Sequence, residues 1–535
     1  MRFIVLRWFA GGRLFSAAVA TVLACTGGFA AAATTPRYGG TLLVELHAPS
    51  LVLDPVKWKI GAPEYAASAQ IASVVFDRLL TLDRFGRFQP ALATEWSHDA
   101  GWRRWQFSLR SGVLFSDGSP LSTADVAGAL QELLAEGSPG KAVVTAAGTH
   151  VVVQFPSAVP DLLEQLASQR YFIYRRAADG ALLGTGPFFV KEFTPAPSGT
   201  TIARYRLAAS EHCWAGRPFV DALDVNVGVP VLRQLFDLQL GKADVVEVSP
   251  DLVRRAAQEN LRVWASAPVS LYALQVGADT ASPGKGGAAQ LASAKVGLGE
   301  ALSLALDRAT MANVLLQRQA EPAASFLPQW LSGYAFIFSS ASTMGMGNNV
   351  ARAKEISGPL FAGASGPAVA SPTPLRLRID AGGDLAKLIA ERVAINARQA
   401  GIPVQVQPHS LTRDASSGNA ASGEKTAETA GLRLVSWRYS SLSARAELDA
   451  MVATLQIDKA ADEKEKSVED AEQLYARERR LISERELIPL VVMPEYIGLG
   501  AEVRDWMPER WAEWHLADVW LDGKRTAGSS AGAQR

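Results

Sequence analysis

The chain is poor in cysteine, with only Cys25 and Cys213 among 535 residues. That excludes a disulfide framework and a cysteine-rich metal domain. It has no surplus of either charge, since 53 Lys and Arg balance 53 Asp and Glu, so no basic excess points to nucleic acid. Long apolar runs are missing except at the N-terminus, where one approaches the length of a membrane span. No tandem repeat occurs. Hydrophobic residues make 48% and charged residues 20%, ordinary globular values that exclude a wholly disordered or collagen-like chain. At about 100–200 residues per domain, about three domains are expected.

Catalytic signatures are missing as well. The histidines are His47, His98, His150, His212, His409 and His515, and no two have the i, i+4 spacing of a zinc-protease helix. Gly345-Met346-Gly347 and Gly297-Leu298-Gly299 lack the third glycine of a dinucleotide loop, and Gly284-Lys285 lacks the spacing and the Ser/Thr of a phosphate loop. A nucleophile elbow is absent. Cys213 lies between His212 and Trp214, but two adjacent donors without distant partners make a poor metal cage, so a half-buried structural thiol is expected. No catalytic residue, cofactor or metal is assigned. A pair of carboxylates brought together by the fold would leave an exported hydrolase as a residual reading. A binder needs instead an apolar and aromatic cleft with a few placed polar groups, and thirteen tryptophans supply material for one.

Residues 1–33 read as an export signal. Arg2, Arg7 and Arg13 give a positive start, Leu14 to Cys25 is the apolar run, and Ala31-Ala32-Ala33 offers a cleavage site. An uncleaved anchor is disfavoured by Gly27-Gly28, which interrupts the run. Val22-Leu23-Ala24-Cys25 resembles a lipobox, so lipidation at Cys25 is the alternative to cleavage after Ala33. Either route predicts a periplasmic protein.

Along the mature chain, Thr41 to Leu46, Trp105 to Leu109, His150 to Phe155, Phe188 to Phe193, Asp244 to Val246, Leu375 to Ile379 and Leu487 to Val492 read as strands. Glu64 to Leu82, Ser122 to Leu134, Val231 to Leu240, Gly299 to Leu316, Asp384 to Ala400 and Val468 to Glu484 read as helices. Ser122 three residues before Asp125 suits a cap. Gly401 and Pro403 end a helix before the strand at Val404 and Val406, so Leu375 to Val406 is a parallel crossover unit. Ala278 to Leu291, Ala362 to Pro374 and Arg413 to Thr429 are rich in Gly, Ala and Ser and read as loops. Mixed strands and helices predict an α/β class.

Several segments, in order, resemble the family 5 extracytoplasmic solute-binding proteins, the dipeptide and oligopeptide receptors of ABC importers. They are Gly39-Gly40-Thr41-Leu42 followed by Leu53-Asp54-Pro55; Val75-Phe76-Asp77-Arg78-Leu79; Phe88-Gln89-Pro90-Ala91-Leu92-Ala93 closed by Trp96; and Phe107 to Val113 followed by Phe115-Ser116-Asp117-Gly118 and Pro120 to Val126. Further on come Gly184-Thr185-Gly186-Pro187-Phe188, Trp214-Ala215-Gly216-Arg217-Pro218, Leu306-Asp307-Arg308 and Leu516 to Leu521. The resemblance implies a two-lobed periplasmic binding protein type II fold with an extra family-specific domain. Lobe I would comprise 36–58, 182–275 and 485–522, the extra domain II 59–181, and lobe III 276–484, with a frayed tail at 523–535. Hinge strands between the lobes would close them on a ligand.

The resemblance also implies a pocket. Peptide receptors of the family carry an Asp after a W-x-x run, and that carboxylate pairs with the peptide's amino group. Here the run is Trp437-Arg438-Tyr439-Ser440 and Ser440 stands in the Asp's place. An Asn expected near the second hinge strand is absent from Leu271-Tyr272-Ala273-Leu274-Gln275. Trp437 and Tyr439 are therefore expected to wall the ligand and Ser440 to donate one hydrogen bond, with Tyr272 and Leu53 completing the pocket. Arg438 hints at an anionic or polar ligand, or else at a structural ion pair. The expectation is a monomeric, non-enzymatic receptor that passes a peptide-like or other small polar solute to an inner-membrane permease served by a separate ATPase. A sensor or interaction protein on the same fold is the alternative.

Overall fold

The computed structural model describes residues 35–523 apart from 60, 84, 138–141, 278–287, 341–348, 362–373, 381–382, 408–430, 458–469 and 509–510. The proposed signal, the lipobox at Cys25, most of the three Gly/Ala/Ser-rich segments and the tail after Gly523 lie outside the described residues.

From Tyr38 onward the chain forms one unit built, among the described residues, on an eleven-stranded sheet. Ten of its strands carry the argument: β1 (Thr41–Leu46), β2 (Phe188–Thr194), β3 (Ala203–Ala209), β4 (Ala222–Val227), β5 (Val245–Val248), β6 (Arg262–Val276), β7 (Leu375–Ile379), β8 (Val404–Val406), β9 (Leu432–Arg438) and β10 (Leu487–Leu499). Their order across the sheet is β2-β3-β4-β1-β5-β10-β6-β9-β7-β8. One half holds β1 to β5, and the other holds β7 to β9. The two long strands β6 and β10 run antiparallel through the middle and belong to both halves. Their pairing is broken by register shifts at Ala265/Pro268, Pro268/Ser270 and Tyr272/Ala273, and such bulges bend and twist a ladder locally.

Local sequence accounts for the elements. In β1 the alternate residues Leu42, Val44 and Leu46 are buried in the first core. The helix Gly383–Gln399 buries Ala386, Ile389, Ala390, Val393, Ala394 and Ala397 at helical spacing. Gly401 follows with φ +78°, and β8 then returns parallel to β7 with Leu375 opposite Val404. The crossover read from the sequence is thus present. Ser122 and Asp125 form reciprocal bonds at the start of Thr123–Gly137, with Ser122 N donating to Asp125 at 2.9 Å and Asp125 N to Ser122 at 3.2 Å.

One helix is shorter than the apolar spacing predicts, and another lies earlier in the chain, taking in Ala288 to Leu291 that read as loop. The first covers Tyr65–Val75, not the whole of Glu64 to Leu82, because Phe76 turns extended at φ −121°. Beyond it the half-buried Asp77 accepts from the Thr185 hydroxyl at 2.7 Å and the Trp214 indole at 2.8 Å. The other runs Ala288–Ala305 and stops before Asp307, whose carboxylate caps the next turn by accepting from Thr310 N at 2.9 Å. Buried Arg308 then donates to the carbonyls of Pro489 at 2.7 Å and Ser303 at 3.0 Å.

The segment that precedes β2 adds a four-stranded antiparallel sheet of Ala93–His98, Arg104–Leu109, His150–Gln154 and Val143–Ala147. Its buried Trp105, Phe107, Val151 and Val153 join the core that also holds Leu42, Val44 and Leu223. This extra layer and the first half of the main sheet therefore share one hydrophobic core. The second half has its own cores, one on each sheet face. Among the described residues no helix is long and apolar enough to cross a membrane.

Candidate functional site

A cavity of about 220 Å³ lies where the two halves face each other. Leu46, at the end of β1, and Glu247 and Val248, at the end of β5, form one side. Ligands of open α/β sheets collect at such carboxyl ends of parallel strands. Ser270 and Tyr272 from β6 and Met493, Glu495 and Tyr496 from β10 form the floor. Leu385 comes from the second half, Gln70 from the helix after β1, and Trp514 from the C-terminal segment.

Glu247 is held from its own half. Its backbone N–H donates to Gln234 at 2.7 Å, and its Oε2 accepts from His47 N at 2.5 Å. Burial raises its pKa above the ordinary carboxylate value, and the nearby Glu495 charge adds to that against the opposing pull of His47. Glu495 is paired with Arg438, whose Nε lies 2.5 Å and Nη2 3.4 Å from its two oxygens. Burial works against the Arg438 charge, but the Glu495 carboxylate more than offsets this and the guanidinium is held firmly protonated.

The aromatic walls differ in freedom. Tyr496 donates its hydroxyl to the Gln319 carbonyl at 3.0 Å. Burial pushes the Tyr272 hydroxyl up to about 12. Gln70 is consumed by structure, since its Oε1 accepts from Trp514 N at 3.2 Å and its Nε2 donates to the Ala512 carbonyl.

Of the five residues chosen from the sequence, Tyr272 lines this cavity. Trp437 and Tyr439 pack in the core on the opposite sheet face. Trp437 donates from Nε1 to Glu447 at 2.5 Å, and Tyr439 donates to the Phe326 carbonyl at 2.6 Å. Ser440 sits beside them, with its N–H 2.9 Å from Glu447 Oε2. Tyr439 and Ser440 border a second recess of only about 10 Å³, at the threshold for a single water. Leu53 is half-buried against the first core and lines neither space. Parity explains the split. Leu271 is paired with Trp437, and directly paired residues share a face, so Tyr272, the next residue, must face the other way. Arg438 lies on the Tyr272 side, in register with Ser270, and makes the structural ion pair that was one of its two expected roles.

Sequence reading missed Glu247, Glu495 and Glu447. Glu247 had a signal, being the single charge in Val245-Val246-Glu247-Val248. Glu447 is fully buried and accepts from Trp437, Ser440 and Ser441, so a carboxylate does stand beside Ser440, with both oxygens taken. Cys213 is a half-buried free thiol whose pKa burial raises. Among the described residues no group of three or more His, Cys, Asp or Glu is placed to hold a metal.

Outside the cavity, the segment before β2 also touches the segment between β9 and β10. Asp161 receives Arg445 at 2.6 Å and the Ser443 hydroxyl, and Leu442 N donates to Ser168 at 3.0 Å.

Two lobes of mixed strands, joined by two continuous strands around an inter-lobe cavity, define a solute-binding protein of the type II periplasmic fold. The chain belongs to the bacterial extracellular solute-binding proteins, family 5, whose middle-region model matches residues 87–457. Oligopeptide-binding OppA of Haemophilus influenzae, solved with the peptide RPPGFSPFR, superposes with TM-score 0.68 at 16% identity, covering 91% of this chain and 100% of that one. NikA of Staphylococcus aureus, solved with Ni(L-His)2, gives 0.65 at 16%, covering 90% and 99%. At the sequence level, the uncharacterized protein YhjP of Bacillus subtilis is 30% identical over 159 residues, 28% of this chain and 26% of that protein. The murein peptide-binding protein MppA of Escherichia coli is 24% identical over 175 residues, 26% of this chain and 32% of its own. These sequence matches span about a quarter to a third of the curated relatives' length.

Proposed function

We propose that this chain is the exported receptor of an ABC importer: it captures a small polar or peptide-like solute between its lobes and presents it, chemically unchanged, to an inner-membrane permease with a separate ATPase. The observation that carries the reading is the inter-lobe cavity floored by both hinge strands, with residues contributed from either side. Opening bends β6 and β10 near their register shifts, and closing rebuilds the cavity. We assign lobe I to 36–58, 182–275 and 485–522, domain II to 59–181 and lobe III to 276–484. The shared core makes lobe I and domain II one body, against which lobe III moves. Export through residues 1–33 places the receptor in the periplasm, as a monomer.

Family membership supports a binding role, and the relatives bind peptides and a nickel complex. The cavity is smaller than the ~300–1,000 Å³ usual for ligand pockets, which favours a small solute over an extended oligopeptide. The test combines thermal shift with small-angle scattering on the exported chain, using dipeptides, tripeptides, the nonapeptide RPPGFSPFR, nickel–histidine and small charged metabolites. A true ligand raises the melting temperature by mass action and shrinks the particle. A chain that neither stabilises nor compacts with any of them is not an import receptor. Mass spectrometry of the mature N-terminus separates cleavage after Ala33 from lipidation at Cys25.

A further inference from the structure

The cavity contains polar atoms that the protein leaves unused. Among the described residues the Ser270 and Tyr272 hydroxyls enter no hydrogen bond, while the Glu247 carboxylate is held by His47 N and the Gln234 side chain; all three residues line the same space. Two open hydroxyls beside a carboxylate in one cleft suit a molecule that brings the complement.

The charges say which complement. Glu495 is neutralised by Arg438 at 2.5 Å. No Lys, Arg or His lines the cavity among the described residues, and His47, whose charge acts on Glu247, lies outside the lining. A ligand anion would meet Glu247 and Glu495 together. A neutral ligand would leave the Glu247 charge uncompensated in a space walled by Tyr272, Tyr496, Trp514 and Met493. A cation answers the carboxylate, and aromatic faces favour a cation.

Size limits it further. At ~30 Å³ per water, the 220 Å³ cavity has the room of roughly seven waters. One spare carboxylate balances one positive charge.

We propose that the cavity takes a small organic monocation bearing N–H donors, an amine or a guanidine, whose charged group pairs with Glu247 and whose body lies against Tyr272, Tyr496 and Trp514. This rests on the receptor reading and names its substrate class. Ser270 and Tyr272 accept the remaining N–H groups. The Asp expected at Ser440 is then not missed, because the anionic anchor has moved to the opposite lobe.

The test is isothermal titration of the exported full chain with tyramine, isoamylamine and methylguanidine. Tyramine is paired with its alcohol and carboxylate counterparts, tyrosol and 3-(4-hydroxyphenyl)propionate. At least one monocation is expected to bind, and tyramine at least about tenfold tighter than either counterpart, a charge-assisted bond being at stake. Glu247→Gln keeps an acceptor for His47 N and is expected to fold with an unchanged melting temperature while losing about tenfold or more in amine affinity. Glu247→Asp keeps the charge and is expected to retain the preference for amine over alcohol. Equal binding of amine and alcohol, or amine binding unaffected by Glu247→Gln, overturns the assignment. Binding of an anion or a neutral solute with lobe closure, while no amine binds, overturns it and leaves the receptor reading standing. Failure of every solute in both screens to bind or to close the lobes removes both.

Discussion

Asp161 and Arg445 meet at 2.6 Å across 284 residues of sequence, one from the segment we assign to domain II and the other from the opposing lobe. Asp161 precedes the short helix Leu162–Leu166, and Arg445 lies in the first turn of Ala444–Leu455. Their side chains are 18% and 17% exposed, shielded enough for the pair to exceed a surface salt bridge. Ser443, which caps the second helix through Ala446 N at 3.1 Å, also donates to Asp161. Such a contact between lobes exists when they are together and is lost when they part, so it biases closure.

Arg445→Ala is therefore expected to shift the unliganded protein toward the open form and to weaken ligand binding by up to about thirtyfold, as expected from losing about 1–2 kcal/mol of closed-state stabilisation. Small-angle scattering reads the first effect and calorimetry the second. An unchanged radius of gyration together with unchanged affinity would show that the contact is indifferent to closure.

A second expectation concerns pH. Burial first, and then the Asp237 charge, push Glu45 up to about 7 against the opposing Arg233. Burial likewise pushes Glu478 to about 7, although Phe326 N and Leu327 N donate to its Oε1 at 2.6 and 3.0 Å. Both folded values exceed the unfolded 4.5. The folded state therefore holds protons that the unfolded chain releases. This contribution to stability is fully present below pH 4.5 and lost as pH rises to about 7. Glu478→Gln, which cannot ionise, is expected to flatten its share. Relative to the parent it should gain up to about 3 kcal/mol between pH 5 and pH 8, read as the change in urea midpoint. A parent and variant with parallel pH profiles would refute the assignment.

A third expectation concerns the turn Gly184-Thr185-Gly186. A Cβ on Gly184 would overlap the Val75 carbonyl oxygen, and one on Gly186 would stand 2.7 Å from it. Both obstacles are backbone and cannot rotate aside. Gly184→Ala is expected to lower stability by about 2 kcal/mol or more, with a matching fall in melting temperature. A variant that melts with the parent would mean the helix end at Val75 yields.

Much of the scaffold was legible because it depends on local rules. Alternation marked β1 and β7, while Gly401 and Pro403 marked the break between helix and β8. The glycines at 184 and 186 and Trp214 were recognised as a family pattern, and the close approach of the glycines to Val75, with Thr185 and Trp214 bonded to Asp77, supplies the physical cause. Helix ends at Val75 and Ala305 were overrun because apolar spacing continued where buried side chains imposed an extended chain or a new cap. The site was harder to read. Its side chains come from β1, β5, β6, β10 and the C-terminal segment, and which face of a hinge strand they occupy depends on the pairing register, which one segment of sequence does not carry.

Register yields the final expectation, since Tyr272 and Trp437 were grouped by sequence but face opposite ways. Tyr272→Phe keeps the ring and removes a hydroxyl that has no protein partner among the described residues. Stability should change by less than about 0.5 kcal/mol, while ligand affinity falls several-fold. Trp437→Phe keeps an aromatic core residue but removes the N–H donated to buried Glu447 at 2.5 Å. Leaving that carboxylate short of a donor should lower stability by about 1–3 kcal/mol, with ligand affinity of the folded fraction preserved. Denaturation and titration on both variants separate the roles. If Trp437→Phe abolished binding at parental stability while Tyr272→Phe bound normally, the ligand would lie on the other sheet face, against the 10 Å³ recess bordered by Tyr439 and Ser440, and that recess would have to open to admit it.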